Sequence, residues 1–445
     1  MLFRSITAIG ANFIGNGSTS LQTVNFPSTL QSIGNRAFTS CTADATVTFS
    51  GNAPVIAADA FKDTTATCRY PAWDQSWTAD VMQNYGGTLT WIPYRNAVEL
   101  KAEGFTLSFE DEVLVNFYYA IEDMADVSQH GMLVFYTLPE DLSVEMADVV
   151  YNATLVSAAE NRFLATTDGI AAKEMGDTRY YVAYAIRGDG EYFFSDIYDY
   201  SPKKYSMNML GRDTTSAKQK ALCVAMLNYG AAAQEYFGYR TEDLMNRDLT
   251  DAQKALVMAY DKTLFTGSVA ADAAKTGAFL RTEGFNSKSV TVSFEGAFAI
   301  NYYFAPSAEV VGDMTFYLWT PEAYASAAQL TVHNASKVIT VKAQENGAYW
   351  AQLTGIAAKM LDETYYVAGV YTDAEGNTHC TGVIAYSLSR YCMNNANGKM
   401  GKLAQATAMY GYYAESYFAY PQGPDRLPRP GLFCGGCNIC GSVIK

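Results

Sequence analysis

Imidazoles, thiols and paired carboxylates are the groups that titrate or attack near neutral pH. This sequence holds three histidines, His130, His333 and His379. Much of the chain is an internal duplication, set out below, and no histidine falls at matching positions in its two copies. A function shared by both copies therefore uses no imidazole, and the three are expected on the surface or in turns. Glu110 and Glu295 do recur, one in each copy. A glycoside-hydrolase pair must converge to within about 10 Å, and residues a full repeat apart are not expected to meet. No GxSxG, HExxH or GxxxxGK[ST] pattern occurs. Gly15-Asn16-Gly17-Ser18 is glycine-rich but is expected in a repeat turn rather than around a phosphate.

Two patterns suggest cations. Glu122-Asp123-Met124-Ala125-Asp126 is acidic, yet calcium needs several converging oxygens, and the matching stretch from Ala305 to Ala308 has no carboxylate. A solvated turn is expected there. Cys434-Gly435-Gly436-Cys437-Asn438-Ile439-Cys440 has spacing that can wrap zinc or an iron–sulfur centre, but a fourth ligand is missing nearby. No catalytic, cofactor-binding or metal-ligating residue is assigned, and no cofactor is expected. Lys173, Lys359, Asn116 and Asn301 recur in both copies. The lysines are expected to close a turn and the asparagines to cap or bridge strands.

The composition sets the frame for these residues. The chain has 445 residues, enough for about three domains. Hydrophobic residues at 49% against 17% charged allow a buried core. A net charge of −14 with no basic stripe argues against nucleic-acid binding. No apolar run is long enough to span a bilayer. The eight cysteines form no visible disulfide framework. Tyrosine, at 33 residues, suits half-buried strands.

Residues 1–94 repeat. Ile9-Gly10-Ala11-Asn12-Phe13 is followed by Ile33-Gly34-Asn35-Arg36-Ala37-Phe38 and Ile56-Ala57-Ala58-Asp59-Ala60-Phe61, at intervals of 24 and 23. Such a period marks units that must stack to bury their apolar faces. Strand-like runs at residues 21–26 and 46–49 alternate, one face in and one out.

Residues 97–240 and 277–421 are copies of each other. Glu103-Gly104-Phe105 matches Glu283-Gly284-Phe285, and Asn116-Phe117-Tyr118-Tyr119 matches Asn301-Tyr302-Tyr303-Phe304. Gly169-Ile170-Ala171-Ala172-Lys173 recurs unchanged from Gly355 to Lys359, and Tyr180-Tyr181-Val182-Ala183 recurs from Tyr365 to Ala368. Period-two strands with turns at Asp189-Gly190 and Glu375-Gly376-Asn377 predict a β-sandwich-like module. Helical stripes at 217–236 and 402–417 predict a C-terminal helix, with the segment from Tyr200 to Met209 supplying a partner. The stretch 241–276 reads as a partly helical linker, with a helix over 251–261 and Thr250 as its N-cap. Residues 422–445, rich in Pro, Gly and Cys, are expected to be disordered.

The IGxxAF units and Phe26-Pro27-Ser28-Thr29-Leu30 resemble the BspA-like leucine-rich repeats of bacterial surface proteins. The stretch with Trp73, Trp77, Trp91 and Tyr94 resembles the C-terminal cap of such arrays. The duplicated module is similar to an uncharacterised one found beside such repeats in large surface proteins. Leu427-Pro428-Arg429-Pro430-Gly431 resembles the sortase signal LPxTG, but Pro430 stands where Thr belongs. The fold expected is therefore mixed: a short leucine-rich-repeat solenoid end plus two tandem β-sandwich-like modules, each closed by a helix or helical hairpin. The resemblance implies a non-catalytic, extracellular or cell-surface protein presenting its repeats for adhesion to a host or microbial surface protein or glycan. Purely structural stalk modules and a carbohydrate-active enzyme are the alternatives. The array starts within a repeat and lacks a signal peptide, so further repeats are expected upstream of Met1.

Overall fold

The computed structural model describes residues 6–14, 22–41, 45–72, 74–94, 98–108, 112–124, 127–188, 190–294, 297–342 and 347–418. Gly15 to Ser18, Trp73, Glu110, Asp189, Glu295, the LPRPG segment and the cysteine-rich tail lie outside them. Contacts divide the chain into two compact units. One is residues 1–100 with 121–130 and 185–193; the other is 101–120, 131–184 and 194–445.

In the first unit, β1 (Ala8–Ile9), β2 (Thr23–Phe26), β3 (Ser32–Ile33), β4 (Ala45–Phe49), β5 (Val55–Ile56), β6 (Thr65–Pro71) and β7 (Thr88–Tyr94) form two parallel sheets. β1, β3 and β5 make one, with Ile9 opposite Ile33 and Ile33 opposite Ile56. The repeated isoleucines are thus stacked, one per turn. The other sheet has the order β2-β4-β6-β7. Its inward residues Val24, Phe26, Val47, Phe49, Ala66 and Cys68 are buried, as period-two alternation demands. Phe38 and Phe61, one repeat apart, stack at 5.2 Å. Trp77 closes the far end. Its ring lies 4.8 Å from Phe49 and 5.6 Å from Trp91, and its Nε1–H donates to the Gly51 carbonyl at 3.0 Å.

Copy 1 contributes β8 (Leu100–Ser108), β9 (Leu114–Ile121), β10 (Val127–Phe135), β11 (Val149–Ser157), β12 (Arg162–Thr166), β13 (Arg179–Arg187), β14 (Tyr192–Phe194) and β15 (Tyr198–Tyr200). They form one sheet, β14-β13-β10-β11-β12-β9-β8, with β15 also on β13. The sheet is continuous because β11 bonds to both β10 and β12, with a register shift between Leu155 and Ser157. Two helices follow, α1 (Pro202–Gly211) and α2 (Ala217–Phe237). Ser201 and Ser216 cap their N-termini, and Gly238 ends α2 at φ 66°.

The linker carries α3 (Asp251–Lys254), opened by a capping box between Thr250 and Gln253. This helix is shorter than the expected 251–261. The Met258 N–H instead donates to the Tyr413 hydroxyl at 2.9 Å, so the chain leaves the helical path. Copy 2 contributes β16 (Phe285–Ser293), β17 (Ala299–Pro306), β18 (Met314–Trp319), α4 (Pro321–Ser326), β19 (Lys337–Val341), β20 (Tyr349–Leu353), β21 (Tyr365–Thr372), β22 (Thr378–Cys380) and β23 (Ile384–Tyr386). Here the strands form two sheets, β16-β17-β20 and β19-β18-β21-β22, with β23 also on β21. α5 (Leu388–Asn395) and α6 (Gly401–Phe418) complete the copy.

Matching positions make matching contacts. A Cβ on Gly230 would lie 3.2 Å from the Ala172 carbonyl oxygen, and one on Gly411 would lie 3.1 Å from that of Ala358. Both glycines therefore let the GIAAK turn sit on its helix. α2 packs against α6, and the matching tyrosines Tyr229 and Tyr410 stack on each other at 5.3 Å and 8°. The strand register corrects one sequence match. Arg179 faces Tyr200 while Tyr365 faces Tyr386, so Arg179 and Tyr365 are equivalent. The two YYVA words are one residue out of step, and a one-residue slip puts a side chain on the opposite face.

Candidate binding face

The outward face of the β2-β4-β6-β7 sheet is a grid of small hydroxyls. Thr23 pairs with Thr46, Thr46 with Thr67, and Thr67 with Thr90. A second row joins Thr65 to Thr88, and a third runs Asn25, Thr48, Arg69, Ile92. Strands about 4.8 Å apart set the spacing, so the four-threonine row spans about 14 Å. The alternation that buries Val24, Val47 and Cys68 forces these threonines outward. The hydroxyls of Thr46, Thr48, Thr67, Thr88 and Thr90 make no hydrogen bond to another described residue. Arg69 brings the one charge in these rows, and its guanidinium lies 5.8 Å from the Tyr94 ring centre. The result is a flat, nearly neutral surface able to exchange hydrogen bonds in both directions. The alternation in β2 and β4 was readable from the sequence. The ladder is marked in the sequence only by the recurrence of Thr23, Thr46, Thr67 and Thr90 at near-repeat intervals.

The recurring polar residues of the modules bind the protein to itself. Lys173 lies over Phe237 at 5.2 Å and Lys359 over Phe418 at 5.4 Å. Each cation ties the GIAAK turn to the end of the helix beside it. Asn116 donates to Ser108 Oγ at 2.9 Å and accepts from Thr166 at 2.8 Å. Asn301 donates to Ser293 Oγ at 3.1 Å and accepts from Gln352 at 2.8 Å. Both bridge three adjacent strands.

The histidines do not share one setting. His333 is exposed, and burial lowers the pKa of His130. His379 departs from the expected surface role. Its Nε2 lies 2.8 Å from Asp373 Oδ2 and its Nδ1 2.8 Å from the Glu283 carbonyl oxygen. Both nitrogens face acceptors, so both bonds form only in the imidazolium, and the Asp373 bond raises the pKa above its ordinary value. No nucleophile completes a triad here, because a main-chain carbonyl occupies the second nitrogen.

The His379 bond also holds Asp373 down to about 2, helped by Asn377. The two groups set opposite pH limits. The His379 contribution to stability is complete below its unfolded value of about 6.5 and is lost as pH rises through the raised folded value. The Asp373 contribution is present above about 3.9 and is lost as pH falls toward 2. Urea unfolding should show wild type more stable than His379→Gln at pH 5.5, with the gap narrowing by pH 8.5. A gap independent of pH would mean that the ring is neutral.

Cys41, Cys68, Cys223, Cys380 and Cys392 are buried and free. Burial pushes the Cys68, Cys223 and Cys392 thiols up to about 12, which makes them poor nucleophiles. Among the described residues no group of three or more His, Cys, Asp or Glu could hold a metal ion. Among them too, no helix is long and apolar enough to cross a membrane.

Residues 2–70 match the family model for the BspA type leucine rich repeat region, in six copies. No curated protein matches the chain. A crystal structure of the major pilin subunit of Bacillus cereus is 10% identical over 67% of this chain and 69% of that one, with a TM-score of 0.15. So low a score transfers neither fold nor function.

Proposed function

From an N-terminal part that is a BspA-type leucine-rich repeat region, we propose that this protein is a non-catalytic cell-surface or secreted adhesin whose threonine rows bind a neutral glycan. The observation that carries this reading is the register of Thr23, Thr46, Thr67 and Thr90. An extended sugar chain offers hydroxyls along its length, and a rigid hydroxyl grid can meet several at once without ordering long side chains. The near absence of charge favours a neutral polymer over an acidic one.

In this reading residues 97–240 and 277–421 are β-sandwich-like modules, each closed by its helices, joined by the linker 241–276. They serve as spacers that present the array. The internal use of Lys173, Lys359, Asn116 and Asn301 supports that role. Adhesion to a surface protein, rather than a glycan, is the competing outcome.

The test is a neutral-polysaccharide array probed with the whole chain, wild type against Thr46→Glu and Thr67→Glu. Each variant places a carboxylate in the row and leaves the inward face alone. Binding should fall at least about tenfold, as when a desolvated charge is left unpaired, with unchanged circular dichroism. Retention by wild type that neither variant weakens would remove the threonine face from the account.

A further inference from the structure

Copy 2 carries a cavity at the start of its first strand. Its volume is about 590 Å³, and it is lined by Arg281, Glu283, Phe285, Lys288, Ser307 and neighbouring residues. Neither Arg281 nor Lys288 forms an ion pair with any described residue. Two cations face the space against one carboxylate, in a chain whose net charge is −14.

The wall between them is held firmly. His379 Nδ1–H donates to the Glu283 carbonyl at 2.8 Å. The Gly284 carbonyl accepts from the Tyr371 hydroxyl at 2.7 Å and from Ser307 N–H at 2.9 Å. Gly284 sits at φ +132°, and a Cβ there would collide with the His379 ring. Two consecutive carbonyls pulled back in this way fix the stretch carrying Arg281, Glu283 and Phe285. Preorganised groups lose less entropy when a ligand arrives.

The duplicate acts as an internal control. Gly104 has the same backbone twist at φ +136°, but a Cβ there would meet nothing within 4 Å. Where copy 2 has Asp373 and His379, copy 1 has Arg187 and Phe193, with Arg187 paired to Glu191. Copy 2 is also five residues longer between Phe285 and Ser293 than copy 1 is between Phe105 and Ser108, and Lys288 lies in that stretch. Lys101 stands where copy 2 has Arg281, and Glu103, where copy 2 has Glu283, is paired with Arg162.

We propose that the Arg281–Lys288 cavity of copy 2 binds an anionic sugar, its carboxylate or sulfate group held between the two cations. The ring of such a sugar would lie along Phe285, with the Ser307 hydroxyl as a further donor. Burial, then the nearby Arg281, already lowers the pKa of Lys288, so an arriving anion relieves a like-charge contact. This site is separate from the threonine rows, and either can fail without the other.

Titration calorimetry on the whole chain would test it, using tetragalacturonate as the carboxylate probe and a heparin-derived tetrasaccharide as the sulfate probe. At least one should bind, more weakly as salt rises. Arg281→Gln and Lys288→Gln should each weaken binding about tenfold, as expected for loss of one charge-assisted contact. Glu283→Gln should tighten it, while Lys101→Gln and Thr67→Glu should leave it unchanged. The probe that binds identifies the source of the anion. Binding of neither probe, or equal binding by wild type and both cation variants, overturns the proposal.

Discussion

Trp77→Ala is expected to destabilise the solenoid by about 4 kcal/mol, within the range for truncating a buried tryptophan. Trp77 is 6% exposed. Its ring contacts Phe49, Tyr70 and Trp91, and its indole N–H satisfies the Gly51 carbonyl. Truncation removes the apolar contacts and leaves that carbonyl without its donor. The loss should spread, because each turn of a solenoid leans on its neighbours. Guanidinium unfolding followed by tryptophan fluorescence would measure it, with Trp77→Phe keeping most of the packing at a smaller cost. A change under about 1 kcal/mol for Trp77→Ala would show that the terminal turn does not depend on this ring.

Asp362→Ala is expected to cost about 3 kcal/mol, as for buried donors left without acceptors. Asp362 is 5% exposed, yet its carboxylate is well used. It accepts the Thr266 and Gly267 backbone N–H groups at 3.0 Å each, together with the Ser389 hydroxyl. Those bonds pin the linker to copy 2 well upstream of its first strand, β16. Removing the acceptor strands two main-chain donors, which water reaches only if the linker lifts. Hydrogen exchange would separate the outcomes. The Thr266 and Gly267 amides should lose protection ahead of the β21 amides, and unchanged protection at both would contradict the pin.

The solenoid was legible because its spacing is a direct statement of stacking. Ile9, Ile33 and Ile56 recur once per turn and pair as that spacing implies. Helices α2 and α6 were legible for a similar reason: a long apolar stripe leaves few alternatives. The sheet connections of the modules were not. β11 joins strands in copy 1 that copy 2 leaves in separate sheets, and local alternation carries no record of which strand lies alongside. The YYVA repeat misled because aromatic and β-branched residues suit either face of a buried strand, so one residue of slip leaves the words intact. The anion cavity was hidden for another reason. Arg281 and Lys288 lie before and within β16, and the stretch between them is held by His379 from the β21–β22 hairpin, far away in sequence. His379 looked ordinary because its partner Asp373 and the Glu283 carbonyl are visible only after that hairpin closes.

The stacking of Tyr229 on Tyr410 carries a consequence for assembly. Like meets like at that point, so the seam between α2 and α6 has local twofold character and is self-complementary. The two helical ends of one chain therefore close on each other through equivalent surfaces, as the subunits of a twofold dimer do.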